Sequence, residues 1–313
     1  MDRISTATSY QSSLLNILNA QARQDTAQQQ YSTGKLATDL KGYAAQADQL
    51  TAAQALQART DAHVSANTAL ADRLSVQDQT LSQISTTTTN ARQAVAEALA
   101  TDDATALKTA LQGQLNQTVA ALNTQYNGKY LFSGGEARSP VAAATLSSLI
   151  APGGVAASFS DGASPQQDRL DDQTRITTGF TASGVATGLF NALAQVASYI
   201  NAVETASGQP LTKLSAADTT ALQSMLSSFD GAFASVNDQV AQNGLAQNQV
   251  DTAQTALKAR QSALTTTLSD MTDIDQAKAA INLTLAQTAL QASAQVFASL
   301  KNTSLLNILS SGA

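Results

Sequence analysis

The stretch Ile274–Leu309 reads IDQAKAAINLTLAQTALQASAQVFASLKNTSLLNIL, and its pattern decides the fold. No proline or glycine interrupts it, and the next glycine is Gly312. Leu283, Leu290 and Phe297 recur at heptad spacing, with Ile281, Leu285, Ala289, Ala292 and Val296 beside them. A surface helix of a globular domain keeps one polar face, whereas a helix with two apolar seams needs a neighbour on each side. One neighbour is expected to be the N-terminal segment of the same chain, and the other a second molecule.

The N-terminal segment fits that role. From Ser5 to Tyr31 the spacing predicts a helix whose first half is apolar at Tyr10, Leu14, Leu15, Ile17 and Leu18. Gln21, Gln24, Gln28 and Tyr31 continue the spacing with polar groups. A glutamine-rich seam contributes little, and an isolated helix of this length is marginal in water. The segment is therefore expected to be loosely held until it finds partners. Gly34 is placed as its C-cap. Leu300, Leu305, Leu306 and Leu309 extend the apolar supply of the C-terminal stretch. Tyr10, Leu14, Ile17, Leu18, Ile281, Leu283, Leu285, Leu290, Val296, Phe297, Leu300, Leu305, Leu306 and Leu309 are thus the expected assembly interface.

Between the termini lie two long helical stretches. From about Tyr43 to Ala100, Leu74, Leu81, Thr88 and Val95 form one seam, and Leu70, Gln77, Ile84, Ala91 and Ala98 its partner. Sustained heptads predict a coiled-coil or long-bundle helix of roughly 80 Å, hence a rod. Thr101-Asp102-Asp103 reads as a break with acidic groups at a new helix start. Leu107, Leu111, Leu115, Val119, Leu122 and Tyr126 then continue a helix expected to fold back on the previous one. Asn127-Gly128 is a strong turn dipeptide, and Lys129 to Ser133 alternates like a strand. Residues 140–182 carry Pro140, Pro152 and Pro165, with β-like runs at Val155–Phe159 and Arg175–Phe180. This reads as a small, outward-facing β or irregular insert. Helix resumes near Ser183, and Ser215-Ala216-Ala217-Asp218 caps a second long helix, with Gly244 a possible interruption. Asp270 to Asp275 is polar and reads as a joint before the terminal helix.

The expected fold is mainly α: an elongated antiparallel long-helix bundle built from N- and C-terminal segments, with a small inserted β/irregular domain. Residues 1–42 with 271–313 would form a terminal coiled-coil domain, and 43–139 with 183–270 a long-helix bundle.

Composition narrows the function classes. A net charge of −6 argues against a broad nucleic-acid footprint. Aromatics at 4% and the absence of tryptophan suit long, thin helical packing better than a compact enzyme core. Without cysteine there is no disulfide, thiolate metal site or cysteine nucleophile. Met1 to Gln11 lacks a signal-type apolar core and no window approaches a membrane span, so no membrane insertion is expected.

Candidate chemistry is thin. His63, the only histidine, sits among polar residues and reads as a surface group. Asp171-Asp172 with Arg175 reads as a charged loop. Asp102 and Asp103 point apart on a helix and read as capping groups. Ser32-Thr33-Gly34-Lys35 lacks the earlier glycine and following hydroxyl of a phosphate loop and reads as a helix end. Gly184 to Gly188 lacks a preceding strand. Asn116, Asn282 and Asn302 stand in Asn-X-Ser/Thr triplets inside expected helices. No nucleophile, base and oxyanion donor assemble from local spacing, so neither an enzyme nor a cofactor or metal site is expected.

Three pieces resemble the bacterial flagellin family. Arg3-Ile4-Ser5-Thr6 with Ser32-Thr33-Gly34-Lys35-Leu36 is similar to its N-terminal helix and glycine turn. Asp270 to Asp275, Leu290-Gln291-Ala292-Ser293 and Ser304 to Leu309 are similar to its C-terminal helix. The signature Tyr126, Asn127, Gly128, Tyr130, Phe132 and Gly134, with Pro140-Val141, resembles the hook–filament junction branch rather than filament subunits. One departure stands out: Asp39-Leu40-Lys41-Gly42-Tyr43 replaces the Asp-Asp-Pro or Asp-Asp-Ala element usual after the Thr-Gly-Lys turn.

The resemblance implies a structural, homo-oligomeric tube subunit at the junction between hook and filament, its paired termini facing inward. It also implies type III export to the extracellular flagellum and an export chaperone on the C-terminal helix. A hook-associated protein and flagellin would be its neighbours. Filament flagellin and a cytosolic coiled-coil binding protein stand as alternatives.

Overall fold

The computed structural model describes residues 2–310, with side chains described over 8–300. The elements in chain order begin with α1 (Asp2–Thr33), a 3₁₀ helix (Leu40–Gln46), α2 (Ala47–Thr101) and α3 (Leu107–Leu122). The hairpin β1 (Gln125–Tyr126) and β2 (Lys129–Tyr130) follows, then the short helices α4 (Leu146–Leu149) and α5 (Gly154–Ala157). A second hairpin, β3 (Gln167–Arg169) and β4 (Arg175–Thr177), precedes α6 (Ala182–Ser207), α7 (Ala216–Thr272) and α8 (Gln276–Ser310). The fold is mainly α, with long helices packed on one another; the sheets among the described residues are two antiparallel hairpins. Two compact units are present, residues 1–61 with 259–313, and residues 62–258.

The core of the 62–258 unit follows the heptads of α2. Leu74, Leu81, Thr88 and Val95 are buried, and so are Leu70, Gln77, Ile84, Ala91 and Ala98. From Leu81 onward the apolar members of these seams share a cluster with Leu111 and Leu115 of α3, Leu189 and Phe190 of α6, and Leu222 and Phe229 of α7. Fully burying each such side chain contributes about 1.5–3 kcal/mol. Leu70 and Leu74 join a second cluster with Leu170, Ala246 and Val250. The buried Asn243 of α7 donates to the Leu74 carbonyl at 3.0 Å, a polar contact that pins the register of α7 on α2. At the head of α7, Ser215 Oγ accepts from the Asp218 amide and the Asp218 carboxylate from the Ser215 amide, a reciprocal cap.

Several local expectations are corrected. Asp102 and Asp103 do not cap α3, whose N-cap is Ala106 with no side-chain bond. Asp102 takes φ +52°, and Asp103 instead accepts from the Thr105 amide at 2.8 Å within a connecting turn. The partners of that turn are distant in sequence: Ala104 donates to Thr212 and Leu214 to Asp102. The expected return of α3 along α2 is not among these corrections: α2 and α3 share one buried cluster, and Tyr126 and Tyr130 just after α3 lie beside Ala66 and Leu70 of α2. Val155–Phe159 is not a strand. Gly153, at φ +87°, turns the chain into α5, while Phe159 stacks on Phe190 with centroids 5.0 Å apart. Short apolar runs do not distinguish a strand from a buried helical turn. Gly244 leaves α7 unbroken, because burial of Asn243, Ala246 and Val250 around it outweighs a glycine penalty of about 1 kcal/mol.

Candidate assembly interface

Within the 1–61/259–313 unit, α1 packs along α8. The two run antiparallel: Tyr10 meets Phe297 edge to face, with centroids 5.3 Å apart and planes at 75°, while Gly34 lies beside Gln276. The sheltered positions of α1 run Tyr10, Ser13, Ile17, Ala20, Gln24 and Ala27 in alternation of three and four, and Gln30 follows at three. In α8 the same alternation runs through Ala279, Leu283, Ala286, Leu290, Ser293, Phe297 and Leu300, with Ala280 also half-buried beside its first member. This is a heptad seam between two helices of one chain. Large side chains fill it toward Tyr10 and Phe297; alanine and glutamine fill it toward the joint.

The structure divides the sequence-derived interface residues. Tyr10, Ile17, Leu283, Leu290, Phe297 and Leu300 face the intramolecular seam and are half-buried. Leu14, Leu18, Ile281, Leu285 and Val296 are 50–62% exposed, and Leu15 joins them. One apolar stripe of each helix is thus covered and a second is open, and exposed apolar stripes of this kind mark interaction surfaces. The side chains of Leu305, Leu306 and Leu309 lie outside the described residues. Between α1 and α8 the open side forms a groove of about 750 Å³ that includes Arg23, Asn282, Leu285 and Ala289.

The joint at the base of this pair brings two distant segments together. Gly34, at φ +68°, closes α1 by donating to the Gln30 carbonyl at 2.9 Å. Leu36 then donates to Thr272 at 2.7 Å and Ile274 to Gly34 at 2.9 Å, an antiparallel bridge centred on Lys35 and Asp273. Asp275 accepts from the Ala277 and Lys278 amides and so starts α8. On the other strand Asp39 accepts from the Gly42 amide, and the Tyr43 hydroxyl donates to the Ala37 carbonyl at 2.8 Å.

The signature segment forms a hairpin in the other unit. Asn127 and Gly128 take φ +50° and +75°, the turn that suits tightly twisted strands. The hairpin ends at Tyr130, and Leu131 donates back to Thr124. Tyr126 and Tyr130 are half-buried and Phe132 fully buried. At Gly134 a Cβ would stand 2.1 Å from the Gly162 carbonyl oxygen, so only glycine permits this approach.

Comparisons with known proteins bear on the same segments. The family model for the bacterial flagellin N-terminal helical region matches residues 4–137, and that for the C-terminal helical region matches residues 226–309. The two matches take in α1, the hairpin and α8. This chain belongs to the bacterial flagellin family. Among the relatives of this flagellin-family chain, flagellar hook-associated protein 3 of Escherichia coli (strain K12) is 26% identical over 98% of this chain and 99% of that protein. Flagellar hook-associated protein 3 of Salmonella typhimurium is 32% identical over 42% of this chain and 43% of that protein. The fold is similar to the crystal structure of Bacillus cereus FlgL, with a TM-score of 0.53, 17% identity, and 71% and 99% of the two chains covered. A flagellar hook-associated protein structure from Vibrio parahaemolyticus gives a TM-score of 0.58, 18% identity, and coverage of 72% and 96%.

The residues weighed for chemistry take structural places in this flagellin-family chain. Ser32-Thr33-Gly34-Lys35 is a helix end, and Gly184 lies in the first turn of α6, where Thr181 accepts from its amide. Asn116 stands in α3, and Asn282 and Asn302 in α8. His63 is not an isolated surface group: its Nε2 lies 3.3 Å from an Asp172 carboxylate oxygen, across the β3–β4 turn. Asp171 shapes that turn by accepting from the Gln173 and Thr174 amides, both at 2.7 Å, which hold its carboxyl below the usual range.

Sequence reasoning missed the polar clasp beside it. Arg73 of α2 donates to Asp168 of β3 and, at 2.7 Å, to Thr178, whose hydroxyl also donates to Asp168. Burial pushes the Asp168 carboxyl up, but the Arg73 and Thr178 hydrogen bonds and the guanidinium charge outweigh it and hold the carboxyl below its ordinary value. Gln77 and Asn67 donate to the Thr178 and Leu170 carbonyls. The polar positions 67, 73 and 77 on the inner face of a long helix were the available signal. Among the described residues no group of three or more His, Cys, Asp or Glu is placed to hold a metal. No described helix is long and apolar enough to cross a membrane.

Proposed function

We propose that this chain is a structural subunit of the bacterial flagellum that forms the junction between hook and filament. The likeness that carries this reading is the one to flagellar hook-associated protein 3 of Escherichia coli, which spans nearly all of both chains. The open apolar stripes on the α1/α8 pair support a mechanism of coupled ordering. Terminal helices that bury only one stripe within the chain stay loosely held for passage through the flagellar type III apparatus, then order against neighbours. In this reading residues 1–42 with 271–313 line an inner tube and residues 43–139 with 183–270 form the middle layer. Residues 140–182 face outward. Copies of the chain, a neighbouring hook-associated protein and flagellin complete the termini, and an export chaperone covers α8 beforehand. The role is mechanical rather than enzymatic.

Immunogold labelling of isolated flagella tests the assignment. The expected result is a narrow band where hook meets filament. Label along the whole filament would make the chain a filament subunit, and unlabelled flagella with the chain retained in the cell-body fraction would make it a coiled-coil binding protein; either overturns the reading.

A further inference from the structure

The chain contains two Asn-Gly dipeptides, Asn127-Gly128 and Asn243-Gly244. They are alike as sequence and opposite as structure. Asn127 and Gly128 are the whole loop of the β1–β2 hairpin, between the paired residues Tyr126 and Lys129, and both are exposed at positive φ. Neither the Asn127 carboxamide nor the Gly128 amide is held by a hydrogen bond among the described residues. Asn243, by contrast, is fully buried, and its carboxamide donates to the Leu74 carbonyl at 3.0 Å and to the Asp78 carboxylate at 3.3 Å. Gly244 lies inside α7, where its amide belongs to the helical ladder. A Cβ would meet nothing within 4 Å at either glycine, so open space does not separate the two sites. Hydrogen bonding and burial separate them.

The difference has a chemical consequence. An asparagine carboxamide is lost when the amide nitrogen of the next residue reaches its Cγ, and a following glycine leaves that nitrogen unhindered. We propose that the Asn127-Gly128 tip is a site of spontaneous modification by water, converting Asn127 to aspartate and isoaspartate, and that the fold protects Asn243-Gly244 from the same reaction. The Gly128 nitrogen bonds to Asn127 Cγ, the bond from Cγ to the carboxamide nitrogen breaks, and ammonia leaves with the amide proton. Water then opens the resulting succinimide ring. Cleavage between Cγ and the Gly128 nitrogen gives aspartate; cleavage between the Asn127 carbonyl carbon and that nitrogen gives isoaspartate. Turning the 127–128 peptide for attack disturbs only an exposed loop tip. At Asn243 the same approach breaks the α7 ladder and strips the carboxamide of both partners, an opening far more costly than that of a tip. Isoaspartate also puts one more carbon into the main chain of a two-residue loop whose length sets the hairpin register, so the product loses the pairing of Tyr126 with Lys129.

Incubating the full-length chain in heavy-oxygen water, folded and in urea, tests this. Ring opening takes its oxygen from solvent, so heavy oxygen marks only conversion during the incubation. The tryptic peptides 109–129 and 214–258 carry the two sites, and fragmentation mass spectrometry reads the label at each asparagine. In the folded chain Asn127 is expected to take up label at least about tenfold faster than Asn243, with aspartate and isoaspartate both present. In urea the two rates are expected to agree within about threefold, since glycine follows in both. Asn127→Asp adds the charge without lengthening the main chain. In that variant the Leu131 amide, which donates to Thr124 at 3.1 Å, is expected to stay protected from hydrogen exchange, and in the isoaspartate form to exchange about tenfold faster. Equal labelling of the two sites in the folded chain, an Asn127 that converts in urea but not when folded, or aspartate as the sole product would each overturn the inference. An isoaspartate form with Leu131 as well protected as in Asn127→Asp would overturn the loss of register.

Discussion

Lys35 and Asp273, separated by 238 positions in the chain, meet as an ion pair at the centre of the bridge that joins the end of α1 to the start of α8. Lys35 also donates to Thr272 Oγ1 at 3.1 Å, and Ser269 and Thr272 hydroxyls donate to the Asp273 carboxylate. The Lys35 hydrogen bond is the largest of the influences that hold the Asp273 carboxyl at about 2. The two segments that carry the family's N- and C-terminal motifs are thus each other's partners.

A pH dependence follows from this pair. The folded value lies below the ordinary carboxylate value of 3.8, so the contact contributes fully above that pH and is lost as pH falls toward 2. Carboxyl-carbon NMR of Asp273 is expected to titrate near 2, with loss of amide protection at Leu36 and Ile274 over the same range. Replacing Lys35 by Met is expected to move the titration up toward the ordinary value. An unshifted titration in the wild-type chain would remove the pair from the joint.

The two stripes of α8 are expected to respond differently to substitution. Leu283→Ala and Phe297→Ala remove side chains from the seam with α1 and should each loosen that pair by about 1–3 kcal/mol, read as earlier melting of the terminal helices by circular dichroism. Leu285→Asp and Val296→Asp touch open positions. They are expected to leave the monomer spectrum unchanged and to abolish incorporation into flagella. Equal effects from both sets in both assays would contradict the division of α8 into a covered and an open stripe.

Deleting Leu283 to Ala313 removes most of α8 but no residue of the 62–258 unit. That unit is expected to keep its cooperative unfolding transition, since its core side chains come from α2, α3, α6 and α7. Incorporation is expected to vanish. Full-length filaments and normal swimming with this truncation as the sole copy would refute the role of α8.

Arg73→Met leaves the Asp168 carboxylate partly buried without its guanidinium. A fully buried orphan charge costs about 3–5 kcal/mol; with Asp168 about a quarter exposed, roughly 2–3 kcal/mol is expected. Urea unfolding of the variant measures the loss. Exchanging the pair for Arg73→Met with Asp168→Leu should recover much of it, because no charge then remains to be stranded.

Periodic and turn-forming features were legible because their causes are local. Leu74, Leu81, Thr88 and Val95 announced a buried seam by spacing alone. Gly34, Asn127-Gly128 and Ser215 with Asp218 announced their turns and caps by residue type, since only certain side chains suit a left-handed backbone or an open helix end. Local signals failed where a distant partner decided. Asp102 and Asp103 looked like a helix start, but Thr212 and Leu214 draw that turn into a bridge. His63 looked solitary until the β3–β4 turn placed Asp172 beside it.

By itself the sequence determined that α8 has two apolar stripes, that α1 is its weaker companion and that long heptad helices lie between them. Repeat spacing dictates each helix face without reference to anything else. Only the tertiary structure decided which stripe of α8 the chain covers with its own α1 and which it leaves open. It alone placed Arg23 in a groove, and set Lys35 against Asp273. Those outcomes depend on the rotation and register of one helix against another. Residues far apart in the chain fix both together, through side-chain packing and paired charge that no local pattern encodes.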